Sequence, residues 1–366
     1  THSWPNPSSA AAAGRPATEA VLPTADGVRV DDDAAEEREP AVPPTSRSLL
    51  SWDDMVANVT RTRHVVAQEG WRALFRLPPG RAELARRADI EQIQALPGGC
   101  WTVVVVNPKG GATKTTATRQ IAATFSRHLV GPSLAWDNNP SRGNLGSRVQ
   151  VRPVRTILDL IRDLDRLQSV DAQMSDLADY ARLQPEGFYA LASARRIGPG
   201  RRAITADEFV DVHARAARFC RIVVIDTGND ETADSWQAAV RAADQLVIVT
   251  EAAQDSTEAA GEMMTDLRSS AGDRLVDEAI SVVSKRASAG GRSRRQFVSR
   301  MHVFLAEHTR TVIDAPFDQA LDGGGPIRQE ELSRGSVRAW ERVAAAVVEG
   351  FARQSAFRTG MDRRAG

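Results

Sequence analysis

From about residue 100 onward, short apolar runs alternate with longer segments of helical periodicity. The run at 103–106 is β-branched and uninterrupted, which is typical of a strand buried on both faces of a parallel sheet. Strands that alternate with helices predict an α/β fold with a doubly wound, mostly parallel sheet and helices on both faces. Residues 153–218 are predicted to be largely helical. Further strands are predicted at 132–136, 221–226, 245–250, 279–284 and 311–315.

A glycine-bearing loop follows the first strand. The chain leaves the strand at Asn107-Pro108 and is compatible with a helix from 114 to about 128. Strand, glycine loop, Lys-Thr and helix is the layout of a phosphate-binding loop. The alternative is an ordinary glycine turn between a strand and a helix. In a phosphate-binding loop, Gly110 and Gly111 supply backbone donors, Lys114 binds the β- and γ-phosphates, Thr115 ligates Mg²⁺ and Thr116 contacts the α-phosphate.

A second lysine, Lys109, makes this loop more specific. The residues Lys109-Gly110-Gly111-Ala112-Thr113-Lys114-Thr115-Thr116 resemble the deviant Walker motif K-G-G-x-G-K-[ST]-[ST] of the ParA/MinD ATPases. The resemblance covers roughly 100–353, and it predicts an ATPase domain over 99–355. It implies ATP and Mg²⁺ as cofactors, and a nucleotide-dependent homodimer in which Lys109 reaches the nucleotide of the other subunit. Residues 109–116 are then all expected to line the nucleotide.

Thr113 departs from the motif, since the family has glycine at this position. If the backbone there required a positive φ, a β-branched residue would be disfavoured by about 1–2 kcal/mol. We therefore expect either weaker nucleotide binding than in the family or a reshaped loop.

A second departure follows the second predicted strand. The stretch Asp137-Asn138-Asn139-Pro140 corresponds to the family motif D-x-D-P, whose second carboxylate orients the attacking water. Here that position is Asn139. An amide hydrogen-bonds water but does not accept its proton, and the loss of a positioned base costs on the order of 10²–10⁴ in rate. Asp137 is expected to support the Mg²⁺ shell. We predict a slow ATPase, or an ATP-gated switch that hardly turns over.

Other positions complete the predicted site. Asp226 ends an apolar strand, which fits a Walker B carboxylate that holds Mg²⁺ through water. In the family a Pro-aromatic-Asp stretch flanks the adenine, which implies base contacts for Pro316 and Phe317, with Ser284 on the other side. Ordinary loop packing is the alternative for these residues. Ligands bind at the carboxyl ends of parallel strands, so the loop, Asp137 and Asp226 should meet at one edge of the sheet.

The flanking segments differ in character. Residues 1–47 hold seven of the eighteen prolines and an acidic cluster, and predict a disordered arm. Residues 48–98 predict a small helical extension, in which Trp71 and Phe75 are expected to be core residues. A final helix at about 336–353 is expected to dock on the domain rather than to hold a membrane. Residues 356–366 form a tail.

Composition narrows the set of partners. The 366 residues carry 47 basic and 47 acidic side chains, so electrostatic partners should be sought in local patches. One basic segment lies at 285–310, which contains seven Lys or Arg residues and one acidic residue. Such a segment is compatible with non-specific DNA binding, with binding of an acidic partner, or with a solvated loop that has no partner. Two cysteines, and the lack of any run of 18 apolar residues, predict a reduced, soluble, cytoplasmic protein.

Two classes of function remain. The acidic arm, the Gly70-Trp71-Arg72 segment and Asp-x-Asn-Pro-x-x-Gly-x-Leu at 137–145 resemble the actinobacterial branch of the family that is often found with type VII secretion. The first class is an ATP-dependent dimerising switch that positions or regulates a cargo, either a secretion complex or a plasmid or chromosome. The second is a non-hydrolysing scaffold that acts through its arm and basic loop. A metabolic P-loop enzyme is less favoured, because no substrate motif stands out.

Overall fold

A computed structural model of the chain describes residues 66–107, 113–139, 143–193, 202–284 and 291–365, with side chains as far as 357. The arm at 1–47, the first part of the extension at 48–65 and residues 285–290 of the basic segment lie outside the described residues. So do Lys109, Gly110, Gly111 and Ala112 of the predicted loop, whose roles therefore stay predictions.

The described strands form one eight-stranded sheet in the order β3-β4-β2-β5-β1-β6-β7-β8. Every neighbouring pair is parallel except β3 and β4. The predicted α/β fold with a mostly parallel sheet is therefore confirmed. The strands are β1 Trp101–Val106, β2 Ser133–Asn138, β3 Arg182–Leu183, β4 Tyr189–Leu191, β5 Ile222–Thr227, β6 Gln245–Glu251, β7 Ile280–Ser284 and β8 Thr311–Ala315.

Helices cover both faces of this sheet. Successive strand residues point to opposite sides, so both faces carry apolar side chains that helices bury. Val103 and Val105 enter one hydrophobic core, whereas Val104 and Val106 enter the other. The helices are α1 Gly70–Leu74, α2 Arg81–Gln94, α3 Thr113–His128, α4 Leu145–Arg148, α5 Ile157–Arg162, α6 Met174–Ala178, α7 Ala206–Phe219, α8 Asp234–Arg241, α9 Gln254–Ala271, α10 Asp273–Asp277, α11 Arg292–His308, α12 Gln319–Asp322 and α13 Arg334–Ala365.

The prediction that 153–218 is largely helical is wrong in its middle part. Strands β3 and β4 lie there and extend the sheet beyond β2. β4 is three residues long and β3 two, so neither contains enough residues to show a period of two. Pairing with β2, rather than local pattern, places β4 in the sheet.

The last helix packs on the domain as expected. Trp340, Val343, Val347 and Phe351 are buried, and the Phe351 ring stacks on Trp101 with centroids 4.7 Å apart. The helix extends beyond the predicted 336–353 in both directions. No helix among the described residues is long and apolar enough to cross a membrane.

The extension before the sheet is bound to α13 by ion pairs. Arg86 of α2 donates to both carboxylate oxygens of Glu341, at 2.7 and 2.8 Å, and also contacts Glu69. Glu69 in turn accepts from Arg338 at 2.7 Å. His128, at the end of α3, lies 3.3 Å from Glu341. Burial raises the pKa of Glu341, but the hydrogen bonds and charges of Arg86 and His128 more than offset it and lower the pKa to about 2.

The expectation that Trp71 and Phe75 are core residues is wrong. Their side chains are 63% and 66% exposed, and they contact each other edge to face with centroids 6.5 Å apart. α1 is five residues long and buries none of them. One and a half turns present too narrow a face to cover two large rings, and α2 makes the contact with the domain instead.

Candidate nucleotide-binding site

Two carboxylates meet at the carboxyl ends of neighbouring strands. Asp137 of β2 and Asp226 of β5 are register partners and both are buried. Thr115, in the first turn of α3, donates its hydroxyl hydrogen bond to Asp226 Oδ2. The sheet thus brings together the three predicted Mg²⁺-site residues, which are far apart in sequence.

Neither carboxyl group forms an ion pair with a described residue, although the charge of Lys114 acts on Asp226. Burial raises the pKa of Asp226 to about 8, and the negative charge of Asp137 adds to that shift. Burial also raises the pKa of Asp137 to about 6, although the backbone N–H groups of Asn139 and Leu145 oppose the shift. Oδ1 of Asp226 is buried with no hydrogen-bond partner in the described part of the chain. Carboxylates and a hydroxyl are the hard oxygen donors that Mg²⁺ prefers, so these residues fit that ion.

Lys114 is also buried without an ion pair among the described residues. Its Nζ donates to the backbone carbonyl of Asn107 at 3.3 Å and to the side-chain oxygen of Asn229. Burial lowers the pKa of Lys114, whereas Asp226 and Glu231 raise it. Asn229 lies three residues after Asp226, and no role was predicted for it from the sequence. It holds the amine that is predicted to bind the terminal phosphates.

Thr113 is accommodated without the strain considered above. It is the first residue of α3, and its Oγ1 accepts from Asn107 Nδ2 at 2.9 Å. Among the described non-glycine residues, a positive φ occurs at Arg76 alone. The conditional penalty for a β-branched residue therefore does not apply at Thr113 in this conformation.

Asn139 lies beside Asp137, to whose Oδ1 its backbone N–H donates at 3.2 Å. A glycine is required close by. A Cβ added at Gly143 would lie 1.7 Å from Ser193 Oγ and 2.3 Å from Asp137 Oδ2. Gly143 belongs to the motif at 137–145, and the close approach of Ser193 and Asp137 explains why this position requires glycine.

The base-side residues line one cavity of about 140 Å³. Its walls include Ser284, Pro316 and Phe317, together with Thr113 and Thr116 from the start of α3. Trp340 also lines it, and its indole N–H has no hydrogen-bond partner among the described residues. The predicted adenine-side and phosphate-side residues therefore share one cavity. Trp340 was not predicted as a site residue, because it belongs to a helix that the sequence pattern indicated only as packed on the domain.

The structure places the arginines of the basic segment in two different environments, exposed on α11 and buried at Arg310. Arg292, Arg295 and Arg300 are exposed on α11. Arg310 is not part of that surface, because its side chain is buried against Glu278 and Glu349, at 3.3 Å from each, and donates to the carbonyl of Ala346 at 2.6 Å. Including Arg310 in a basic binding surface was therefore wrong.

Comparison with solved structures shows which fold the chain has. The chain aligns with a ParA family ATPase from Chlorobium tepidum at a TM-score of 0.54, with 16% identity over 67% of this chain and 98% of that one. It aligns with apo McdA of Cyanothece at 0.50, with 17% identity over 68% and 99%. No model of a known protein family matches. The chain has the fold of the ParA/MinD ATPases, and the predicted resemblance is confirmed at that level.

A closer likeness in sequence comes from a secretion-associated protein. The ESX-1 secretion-associated protein EspI of Mycobacterium tuberculosis, from strains CDC 1551 and H37Rv, is 27% identical over 231 residues. The match covers 60% of this chain and 33% of EspI, so the chain spans about a third of the length of these relatives. The predicted link to a type VII secretion branch is supported by this relative.

Proposed function

We propose that this chain is an ATP-binding, slowly hydrolysing switch of the ParA/MinD type, which dimerises with nucleotide in the cytoplasm and regulates a secretion complex. The observation that carries the proposal is the cluster of Lys114, Thr115, Asp137 and Asp226 at one edge of the sheet, where the three buried ionisable groups form no ion pair with a described residue. Bound Mg²⁺ and phosphates would supply those charges.

Each residue has a distinct part in this proposal. Thr115, with Asp137 and Asp226 in support, would hold Mg²⁺, which neutralises charge on the phosphates when bound. Lys114 would exchange Asn229 for the terminal phosphates. Asn139 would hydrogen-bond the attacking water without accepting its proton, which leaves hydrolysis slow.

Dimerisation and cargo rest on sequence. Lys109 would complete the site of the other subunit, as the family motif implies. EspI is named as secretion-associated, which favours a secretion component over a plasmid or chromosome as the regulated partner. The exposed arginines of α11 support non-specific DNA as a second candidate partner.

The deciding experiment is size-exclusion chromatography with light scattering, in Mg²⁺ with ATP, ADP or no nucleotide. We expect the wild-type chain to dimerise with ATP only, and Lys109→Ala and Lys114→Ala to stay monomeric. Lys109→Ala should still bind ATP, which separates dimerisation from binding. A mass that does not respond to nucleotide, with no ATP retained, would instead favour the non-hydrolysing scaffold.

Hydrolysis is tested separately with Asn139→Asp. Restoring a carboxylate that accepts the proton of water should raise ATP turnover by on the order of 10²-fold or more. Phosphate release under saturating ATP measures this. A wild-type rate equal to that of the variant would show that Asn139 does not limit turnover.

A further inference from the structure

Arg148 is a buried cation that no carboxylate in the described part of the chain pairs with. It is the last residue of α4 and is 1% exposed. Its Nη2 donates to Thr116 Oγ1 at 2.8 Å and to the backbone carbonyl of Leu321 at 2.6 Å. Nε and Nη1 have no hydrogen-bond partner among the described residues. Because buried polar groups in native proteins are normally hydrogen-bonded, this placement is unfavourable for the fold alone.

A second buried arginine shows the usual structural solution. Arg119 of α3 is fully buried, contacts the carboxylate of Glu186, and donates to the carbonyl of Ile327 at 2.8 Å and to Gln329 at 3.0 Å. Its charge is thus neutralised within the fold. Burial lowers the pKa of Arg148, and the charge that opposes this comes from Asp322, which is exposed. Arg148 therefore brings a positive charge to its surroundings that Arg119 does not.

The neighbour of Arg148 identifies where that charge acts. Thr116 lines the cavity shared by Ser284, Pro316 and Phe317, on its phosphate side. A hydroxyl that accepts a hydrogen bond from a guanidinium donates its own proton to a different acceptor. A charged donor also forms a stronger hydrogen bond than a neutral one and holds the acceptor in place. Arg148 thus orients the Thr116 hydroxyl and adds positive potential at that wall of the cavity.

We propose that Arg148 is a positioning residue for the phosphate nearest the base, acting through Thr116 and through its own buried charge. This inference rests on the proposed nucleotide-binding function and adds a residue that the loop motif does not contain. The ligand chemistry is an adenine nucleotide with at least one phosphate. Lys114, two residues before Thr116 at the start of α3, would act on the terminal phosphates instead.

The test is calorimetric titration of the full chain with ATP, ADP and AMP in Mg²⁺. Arg148→Met should raise the Kd on the order of 10- to 100-fold, the value of a charge-assisted hydrogen bond. The factor should be similar for all three nucleotides, since all carry the first phosphate. Arg148→Lys should recover part of the affinity. The exposed Arg328→Met serves as a matched loss of charge and should leave the Kd unchanged.

A double variant separates positioning from general stability. Adding Thr116→Val to Arg148→Met should weaken binding little further, because residues that act together are not additive. Fully additive losses, or a lower melting temperature with an unchanged Kd, would overturn the proposal. A loss confined to ATP would overturn the assignment to the first phosphate.

Two remaining outcomes are also decisive. If Arg148→Met does not fold, Arg148→Lys carries the test, because lysine keeps the charge without the planar guanidinium geometry of arginine; an unchanged Kd in that variant would overturn the proposal. A wild-type chain that binds no nucleotide would overturn the proposed function together with this inference. Wild-type binding with an unaffected Arg148→Met overturns this inference alone.

Discussion

Two regions of this protein arrange their charges in opposite ways. Where α13 meets the extension, Glu341, Arg86 and Glu69 form a continuous series of ion pairs that ends at Arg338. At the candidate site, Lys114, Asp137, Asp226 and Arg148 are buried, and none of them forms an ion pair with another described residue. The first region pairs its charges within the chain, and the second does not.

The difference separates a structural contact from a binding site. A buried charge without a partner destabilises a fold, so a fold retains it where a ligand completes it. The ion pairs at α13 hold the extension against that helix and require no ligand. The unpaired charges of the candidate site destabilise the fold when no ligand is bound, and the binding of Mg²⁺ and phosphates requires them.

The largest effect is expected from breaking the paired region. Glu341→Gln removes the buried carboxylate that pairs with Arg86 and should lower the free energy of unfolding by about 3–5 kcal/mol. The folded pKa of Glu341, about 2, lies below its ordinary value of 4.5. The wild-type chain should therefore keep this stability above about pH 4.5 and lose it as the pH falls towards 2.

Urea unfolding across that pH range measures the prediction. Glu349→Gln is the matched control, because that carboxylate is half exposed and should contribute no more than about 1 kcal/mol. Equal losses in the two variants would contradict the distinction between the two regions.

The opposite sign is expected in the unpaired region. Asp226→Asn should stabilise the chain without Mg²⁺ by about 1–4 kcal/mol at high pH and abolish Mg²⁺-dependent ATP binding. The folded pKa of Asp226, about 8, lies above its ordinary value of 3.8. Wild-type stability should therefore fall as the pH rises from about 4 to about 8, and the variant should lose part of that slope.

Unfolding in a chelator at pH 5 and pH 8 tests this, with the exposed Asp171→Asn as control. A destabilised Asp226→Asn would mean that the carboxylate is held by the fold rather than kept for a ligand.

A smaller effect is expected where the site is shaped by close packing. Gly143→Ala places a methyl group against Ser193 and the Asp137 carboxylate, and should cost about 1–3 kcal/mol and weaken ATP binding. Gly323→Ala is the matched control, because a Cβ there meets nothing within 4 Å. Calorimetric melting and ATP titration of both variants test this prediction. Equal stability and equal ATP affinity in the two variants would show that the neighbours of Gly143 shift to accommodate a methyl group.

The smallest effect is expected on the exposed rings of the extension. Trp71→Ala should change the free energy of unfolding by no more than about 0.5 kcal/mol. The buried Phe351→Ala should cost about 3–5 kcal/mol in the same assay. A large loss for Trp71→Ala would restore the original expectation that this ring is a core residue.

Much of the fold and part of the site could be predicted because their signals are local. An unbroken β-branched run such as 103–106 predicts a buried strand, and Lys114, Thr115 and Thr116 follow it directly. Asp226 was found for the same reason, since it ends an apolar strand, whereas Asp137 was found because the stretch 137–140 resembles the family motif D-x-D-P. Trp71 and Phe75 were assigned wrongly because helical spacing does not tell which face another element covers.

The sequence by itself thus determined six of the eight strands, the loop layout and the two departures at Thr113 and Asn139, since each depends on residues that are adjacent in the chain. Only the tertiary structure decided that Arg148 contacts Thr116, that Asn229 holds Lys114 and that Arg310 is buried by Glu278 and Glu349. These partners are far apart in sequence, and the packing of strands and helices, which no local pattern encodes, brings their side chains together.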